Sequence, residues 1–235
     1  IIPVLMSGIF GYTLKIIFFT LAIIHTSIAN TYFLLYTEPI IVAFFGYFLL
    51  KEKISAKLVI SLIASLVGVF LIFNMHNTRI LGDIFALLSG ISYAFYVLSN
   101  RSLSQKYDGA VPLFYTMSIS IGILLPLAII QEQPNIIAYS SEVWAFLVIF
   151  GFSNFIAYLS LNYGLRELSA NITSLILVIE PVSSAFFAFL FFQEHPGVRM
   201  IIGSLFIIIS IINLSFRYQI HLLFAKKSHA PGELR

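Results

Sequence analysis

The sequence contains no cysteine, a single tryptophan and few charged residues, which make up only 10% of its 235 positions. Without cysteine there can be no disulfide, no thiolate nucleophile and no cysteine-bound metal. A water-soluble domain is excluded because the chain is 60% hydrophobic and its mean hydropathy is +1.00. The net charge of +3 is too small to indicate a nucleic-acid partner. What remains is a membrane protein.

Apolar stretches of about 20 residues recur along the chain, which is the length that a helix needs to cross the hydrocarbon core. A transmembrane barrel would instead alternate apolar and polar residues. The sequence therefore predicts an all-α membrane protein, a polytopic bundle of eight transmembrane helices. Their predicted positions are 3–24, 27–50, 57–73, 83–99, 111–130, 143–165, 169–192 and 198–216.

Two of these helices carry the same sequence element, 142 residues apart. The first copy contains Glu38-Pro39 and the second contains Glu180-Pro181, each midway along an apolar run. An ionisable residue at that depth is a candidate functional residue because burying its charge in lipid is costly. The adjacent proline removes one helical hydrogen bond, and irregular backbone is tolerated there only beside protein or a wet cavity. We therefore predict two kinked helices at the centre of a duplicated protein.

The duplication also predicts how the chain is divided. Residues 1–77 form a partial first repeat of three helices, residues 80–217 form a second repeat of five, and residues 218–235 form a cytoplasmic tail. The segment His76–Arg79 joins the two repeats. Because the first copy is shorter than the second, we expect two further helices to precede Ile1.

The basic residues predict the orientation in the membrane. The loops after the second, fourth and sixth helices, together with the tail, hold ten Lys and Arg residues, whereas the other loops hold two. We expect the protein to lie in the inner membrane of the cell. The positive-inside rule then places the first set of loops, and the carboxyl terminus, in the cytoplasm. The two Glu-Pro helices then cross in opposite senses. Such inverted repeats are typical of secondary transporters, whose site lies near the midplane. The ten residues are Lys51, Lys53, Lys57, Arg101, Lys106, Arg166, Arg217, Lys226, Lys227 and Arg235.

Lys15 and Glu38 are charged residues that fall at similar depths, about 5 Å apart along the helix axes at about 1.5 Å per residue. An ion pair between them is plausible if the first two helices form an antiparallel hairpin. Such a pair could lock the two helices together or bind substrate, and the sequence leaves both roles open.

Glu180 has no matching lysine, because position 157 is alanine. We expect a proton, the amide of Asn154 or Asn162, a tyrosine hydroxyl or the substrate to satisfy it. Desolvation would suit a proton-carrying role for this carboxyl group.

Other polar side chains on the predicted helices are either cavity-lining or packing residues. Asn154 and Tyr158 share a helix face and are candidates for lining a cavity. Tyr12 and Tyr93 are candidate substrate-binding residues for which packing or interfacial anchoring stays open. Small residues on the helix at 57–73 predict a close helix contact, with Ser55 as its cap, and Glu52 and Glu194 are expected to be solvated turn residues.

Several short motifs resemble those of the drug/metabolite transporter superfamily, specifically its EamA-like members. The resemblance implies ten helices in two five-helix inverted repeats with both termini cytoplasmic, and alternating-access transport of amino acids, related metabolites or drugs. It also implies that the two helices absent here would line the central cavity. EamA-like members usually carry a small or aromatic residue near position 15, so Lys15 suggests an anionic or carboxylate-bearing substrate. The motifs are Leu21-Ala22-Ile23, Thr26–Asn30, Glu38-Pro39, Leu50–Ile54, Leu81–Leu87, Ser92-Tyr93-Ala94, Tyr163-Gly164-Leu165, Ser169-Ala170-Asn171 and Glu180-Pro181.

The sequence thus predicts a transporter of a small organic solute that works in the lipid bilayer as a monomer or homodimer, with protons as a possible coupling ion. We expect no cofactor and no bound metal. An intramembrane enzyme is the first alternative, but every histidine falls at a helix end or in the tail, and Asp83 and Asp108 border loops. A membrane subunit that transports nothing is the second.

Overall fold

The computed structural model describes residues 1–73, 79–131, 140–193, 195 and 197–228, with side chains as far as residue 214 except those of residues 131, 188 and 192. The described residues form eight helices, and none of them lies in a strand. Six of the helices are long and apolar enough to cross a membrane, and two are shorter and apolar. In chain order they are α1 (Ile2–His25), α2 (Ile28–Leu49), α3 (Ala56–Ile72), α4 (Ile80–Ser104), α5 (Ala110–Gln131), α6 (Ser141–Glu167), α7 (Ala170–Phe192) and α8 (Val198–Ser228). The predicted helical membrane fold is confirmed.

Serine residues fix the starts of two helices. Ser27 accepts a hydrogen bond from the amide of Asn30 at 3.1 Å, and Ser55 accepts one from the amide of Leu58 at the same distance. These bonds satisfy amides in the first turn, which have no partner within their own helix. The predicted cap at Ser55 is therefore confirmed.

Helices α2 and α7 are each interrupted just before a Glu-Pro pair. Helix α2 consists of α2a (Ile28–Leu35) and α2b (Glu38–Leu49), and α7 consists of α7a (Ala170–Leu177) and α7b (Glu180–Phe192). Proline cannot donate to the preceding turn, so each helix restarts at the acidic residue beside it.

The chain divides into two compact units, and helix α4 is the centre of the first, which comprises Ile1–Glu52 and Met75–Ser174. Helices α1, α2, α5 and α6 all contact α4. Small residues let them approach closely: a Cβ added to Gly82 would meet Thr26, and one added to Gly90 would lie 3.2 Å from the carbonyl oxygens of Leu34 and Leu35. Those two carbonyls belong to the break in α2.

The second unit comprises Lys53–Asn74 and Leu175–Arg235, and its main contact joins α3 to α8. Gly68 and Gly203 face one another so closely that a Cβ on either would lie 2.6 Å from the other's carbonyl oxygen. Asn213 donates to Ser61 across the same contact at 3.3 Å. Small residues allow such an approach in lipid, and the predicted packing face of α3 is confirmed.

Some predicted boundaries differ from the structure. Helix α8 continues to Ser228, past the predicted end of the eighth helix at residue 216, so much of the segment predicted as a cytoplasmic tail is helical. A basic sequence can continue a helix because Lys and Arg are good helix formers. Three predicted features lie outside the described residues, namely the linker apart from Arg79, the turn residue Glu194, and residues 229–235 of the tail.

Candidate functional site

A widened turn of α1 precedes the deepest charged side chain. Residues Met6–Thr13 have π-helical geometry, which often occurs at functional sites. The hydroxyl of Thr13 donates to the carbonyl oxygen of Gly8 at 2.7 Å, five residues back, and is 3.1 Å from the hydroxyl of Ser120 in α5. Gly11 in this turn lies against the backbone of Tyr96 in α4. The next helical turn places Lys15 beside α4 and α6.

The ammonium group of Lys15 lies among aromatic rings. Its Nζ atom is 5.1 Å from the ring centroid of Tyr93 and 5.6 Å from that of Phe19, distances at which a cation is attracted to an aromatic face. It also donates to the hydroxyl of Tyr158 on α6 at 3.4 Å. The backbone of Lys15 is held as well, because Ser89 of α4 donates to its carbonyl oxygen at 3.1 Å.

Further tyrosine rings complete this group. The ring of Tyr12 lies 5.0 Å from that of Tyr158 and 6.0 Å from that of Tyr96, and the rings of Tyr96 and Tyr158 are 5.4 Å apart. Tyr93 lies 6.0 Å from Tyr96. We call the group made of Lys15 and the rings of Tyr12, Phe19, Tyr93, Tyr96 and Tyr158 the Lys15 cage. It is contributed by three helices of the first unit.

One amide fixes the buried ring of the cage. Asn162 donates to the hydroxyl of Tyr96 at 2.8 Å, and its own helix provides a second acceptor in the carbonyl of Tyr158. Both Asn162 and Tyr96 are 0% exposed. Because Asn162 occupies the acceptor side of the Tyr96 hydroxyl, the hydroxyl proton is left to be donated elsewhere.

Four of the predicted site residues therefore come together, namely Tyr12, Lys15, Tyr93 and Tyr158. Phe19 and Tyr96 were not predicted as site residues from the sequence, and Asn162 was predicted only as a possible partner of Glu180. Two of these carried a usable signal: Tyr96 lies three residues from Tyr93, and Asn162 lies four residues from Tyr158, spacings that place side chains on one helix face.

Glu38 is buried at the first position of α2b and is 3% exposed. Its Oε1 atom has no hydrogen-bond partner among the described residues. Burying an ionised carboxylate without a partner costs several kcal/mol, so a group in this position favours its neutral form. The carbonyl oxygens of Leu34 and Leu35, at the break just before Glu38, lie against Gly90 of α4.

The ion pair expected between Lys15 and Glu38 is not observed among the described residues, where the Oε1 atom of Glu38 has no hydrogen-bond partner. Lys15 and Glu38 do lie at similar heights along α4. Ser89 of α4 contacts the Lys15 backbone, and the adjacent Gly90 contacts the break just before Glu38. The hairpin assumption was wrong, because α1 and α2 both pack chiefly against α4 rather than against each other.

Two other predicted site residues lie outside the cage. Asn154 donates to the carbonyl of Phe150 at 2.9 Å, within its own helix. Glu180 is exposed at the start of α7b in the second unit, although Pro181 beside it is buried. The proton-carrying role expected for Glu180 therefore stays a prediction.

A row of hydroxyl and amide groups continues from the cage between α1, α4 and α5. Asn100 donates to Ser7 at 2.6 Å, and the hydroxyls of Ser7 and Thr116 are 2.7 Å apart. Asn100 also donates to the carbonyl of Tyr96 at 3.0 Å. All three side chains of this row are buried. Interhelical hydrogen bonds of this kind hold helices together where hydrophobic burial cannot.

The loop between α4 and α5 carries an exposed aspartate, Asp108, that is held by several groups. Asp108 accepts hydrogen bonds from the amide of Ala110 at 3.1 Å and the hydroxyl of Tyr163 at 2.8 Å, and it lies 3.7 Å from Arg166. The pKa of Asp108 is lowered below its ordinary value. The largest cause is the hydrogen bond from the Ala110 amide, followed by the Tyr163 hydroxyl and the Arg166 charge. Among the described residues, no three His, Cys, Asp or Glu side chains are grouped to hold a metal ion.

Known proteins resemble this chain over most of its length. A transporter of Clostridium kluyveri is 28% identical over 89% of this chain and 71% of its own length. A transporter of Archaeoglobus fulgidus is 25% identical over 83% of this chain and 69% of its own. A pseudopaline exporter of Pseudomonas aeruginosa is 23% identical over 90% of this chain and 74% of its own.

A crystal structure of a protein that is 18% identical superposes with a TM-score of 0.79, covering 91% of this chain and 77% of that one, and so shows the same fold. The model of the EamA-like transporter family matches residues 1–74 and 80–216. The chain therefore belongs to the EamA-like transporter family and is a multi-pass helical membrane transporter.

Proposed function

We propose that this protein is a secondary active transporter that moves a small organic acid across the membrane by alternating access. The observation that supports this most is the Lys15 cage, which places a cationic group among aromatic faces inside a membrane-spanning helix. Ionisable residues at this depth usually serve ions or substrates. Membership of a family of transporters supports the same conclusion.

The chemistry of the cage favours an acid with an apolar or aromatic body. An ammonium group attracts a carboxylate, and the hydroxyl of Tyr158, already 3.4 Å from Lys15, can bind its second oxygen. The tyrosine faces offer apolar surface to the rest of the solute. An organic cation would meet the positive charge of Lys15 in the same space, so the cage selects against it.

Glu38 supplies the site for a coupling proton in this proposal. It is buried and its Oε1 atom has no partner among the described residues, so the neutral acid suits the present conformation. Helix α4, which packs against α2, has Asp83 and Arg101 near its two ends, and neither forms an ion pair with Glu38. A conformation that exposes Glu38 to water would release the proton. Glu38 thus takes the role that the sequence had suggested for Glu180.

Solute binding can be tested with a matched pair of small molecules. Phenylacetate has the charge and ring that the cage requires, and phenylacetamide has the same ring without the charge. We expect phenylacetate, but not phenylacetamide, to raise the melting temperature of the purified chain and to exchange by counterflow in proteoliposomes. Lys15→Met should weaken phenylacetate binding about tenfold to a hundredfold, the factor that corresponds to a charge-assisted hydrogen bond of about 1.5–3 kcal/mol.

Lys57→Met is the matched control, because Lys57 is exposed at the start of α3. Equal binding of the acid and the amide, or equal loss of binding in both lysine variants, would contradict the proposed role of the cage. Hydrolysis or another covalent change of the solute would favour the intramembrane enzyme, and binding without exchange would favour a subunit that does not transport.

Proton coupling has a separate test. Glu38→Gln cannot release a proton, so uptake or efflux driven by a pH gradient should be lost while counterflow persists. Glu142→Gln, at an exposed carboxylate in the first turn of α6, should retain both activities. If Glu38→Gln kept transport driven by the pH gradient, Glu38 would not be the coupling group.

A further inference from the structure

The end of α2 turns sharply and places an acidic side chain beside another helix. Lys51 adopts a left-handed backbone conformation with a φ of 56°, and the amides of Leu50 and Glu52 both donate to the carbonyl oxygen of Gly46, at 3.0 and 3.1 Å. This is the geometry by which helices commonly end. It turns the chain so that Glu52 faces the start of α7a.

The carboxylate of Glu52 caps α7a from outside that helix. Its Oε1 atom accepts from the amide of Ala170 at 2.7 Å, and its Oε2 atom accepts from the amide of Asn171 at 3.1 Å. These amides lie in the first turn of α7a and have no partner within the helix. A carboxylate on two such amides is favoured by both charge-assisted hydrogen bonding and the helix dipole.

An arginine holds the other side of the same turn. Arg101, near the end of α4, donates to the carbonyl oxygens of Leu165 and Arg166 at 2.6 and 3.0 Å. These carbonyls end α6, the helix that carries Tyr158 of the Lys15 cage. The short turn between α6 and α7a is thus held by a cation at the end of one helix and by an anion at the start of the next.

The Glu52 contact joins the two parts of the chain that match the family model separately, since Glu52 lies within residues 1–74 and Ala170 within residues 80–216. In alternating access, contacts between the two halves must break on one side before a solute can leave there. The two loops that form this contact belong to the set predicted to be cytoplasmic, because that set, with the tail, holds ten of the thirteen Lys and Arg residues.

We propose that Glu52 is a latch that closes the cytoplasmic end of the Lys15 cage by capping α7a. This proposal rests on the proposed function, because it assigns a gate to that same site. When the Glu52 carboxylate leaves the amides of Ala170 and Asn171, α7a loses its anionic cap and can separate from α2. A solute in the cage then has a route to the cytoplasm.

The absence of native cysteine makes a direct test possible. A single reporter, Tyr93→Cys, places a thiol in the cage of the full chain. Its labelling rate by a charged, membrane-impermeant methanethiosulfonate is measured from the cytoplasmic side in inverted vesicles and from the outer side in right-side-out vesicles. Glu52→Gln should raise the cytoplasmic rate about tenfold or more and lower the outer rate, because the charge-assisted cap is lost.

Two further variants control for general loosening. Asp108→Asn removes an acidic group from the same face that contacts α6 rather than α7a, and both labelling rates should stay unchanged. Glu52→Asp keeps the charge but shortens its reach, so it should give an intermediate cytoplasmic rate even if Glu52→Gln folds poorly. A rise of equal size on both sides, or no change in either Glu52 variant, would overturn the latch. A reporter thiol that reacts from neither side in any variant would instead overturn the solute-binding cage itself.

Discussion

Replacing Gly11 by alanine tests the packing that builds the Lys15 cage. A Cβ at this position would lie 2.7 Å from the Cα of Tyr96 and 2.8 Å from its amide nitrogen. Ordinary contacts between carbon atoms are about 3.5–4.0 Å, so α1 and α4 would have to separate by about 1 Å. Both sides of this contact are backbone, and no side-chain rotation can relieve it.

The size of the effect follows from two opposing terms. Overpacking of a close contact costs about 1–3 kcal/mol, and sometimes more where backbone must move. Alanine is favoured over glycine within a helix by about 0.8–1.0 kcal/mol. We therefore expect Gly11→Ala to lower the free energy of unfolding and to weaken solute binding, because Tyr12 would move away from Tyr96.

The matched control is Gly122→Ala in α5, where an added Cβ meets nothing within 4 Å. That variant has the propensity gain alone and should be neutral or slightly stabilised. The free energy of unfolding is measured in mixed micelles by titration with a denaturing detergent, so the difference between the two variants isolates the steric cost. Equal stability of Gly11→Ala and Gly122→Ala would refute the close approach of α1 and α4.

Three other outcomes are expected. Gly68→Ala should destabilise the contact between α3 and α8, because its Cβ would lie 2.6 Å from the carbonyl oxygen of Gly203, and detergent unfolding should detect this. Asn162→Leu should cost about 0.6–1.7 kcal/mol, the range for hydrogen bonds between membrane helices, and should weaken solute binding by releasing Tyr96. Asp108→Asn should lose a small stabilisation that the wild type shows at pH 7. Because the pKa of Asp108 is lowered in the folded state, that stabilisation is present above the ordinary aspartate pKa of about 3.9 and disappears as the pH falls through the folded value; unfolding measured from pH 7 to pH 3 should show the wild type and variant converging.

Much of the fold could be predicted because bilayer crossing imposes simple rules on length and composition. The eight helices follow from the apolar stretches, and both breaks fall beside the predicted prolines because proline lacks a backbone donor. The π-helical turn at Met6–Thr13 could not be predicted, since its sequence is compatible with an ordinary helix and only packing against α4 and α5 distinguishes the two.

The candidate site was predicted in part because charge inside a membrane is rare and visible in the sequence. Lys15 was found in this way, and Tyr12, Tyr93 and Tyr158 were also named as candidates, whereas Tyr96 was not. The sequence could not reveal that α4 is the partner of both α1 and α2, and this is why Lys15 and Glu38 do not pair.

Glu52 shows a second limit of sequence reasoning. As a residue at the end of a helix, it was interpreted as a solvated turn residue, which the structure shows to be wrong because its carboxylate binds two backbone amides of α7a. Its partners are backbone groups more than a hundred residues away. Because a backbone amide does not depend on the type of residue that carries it, the sequence does not mark these partners.

The most direct test of acid binding in the Lys15 cage is the effect of Lys15→Met on acid-specific stabilisation of the full chain. A series of small aromatic and aliphatic acids, each beside its uncharged amide, would be compared by melting temperature in detergent. Acids and not amides should stabilise the wild type, and Lys15→Met should abolish this difference while Lys57→Met retains it. A series in which no acid stabilises the wild type, or in which Lys15→Met responds as the wild type does, would contradict it.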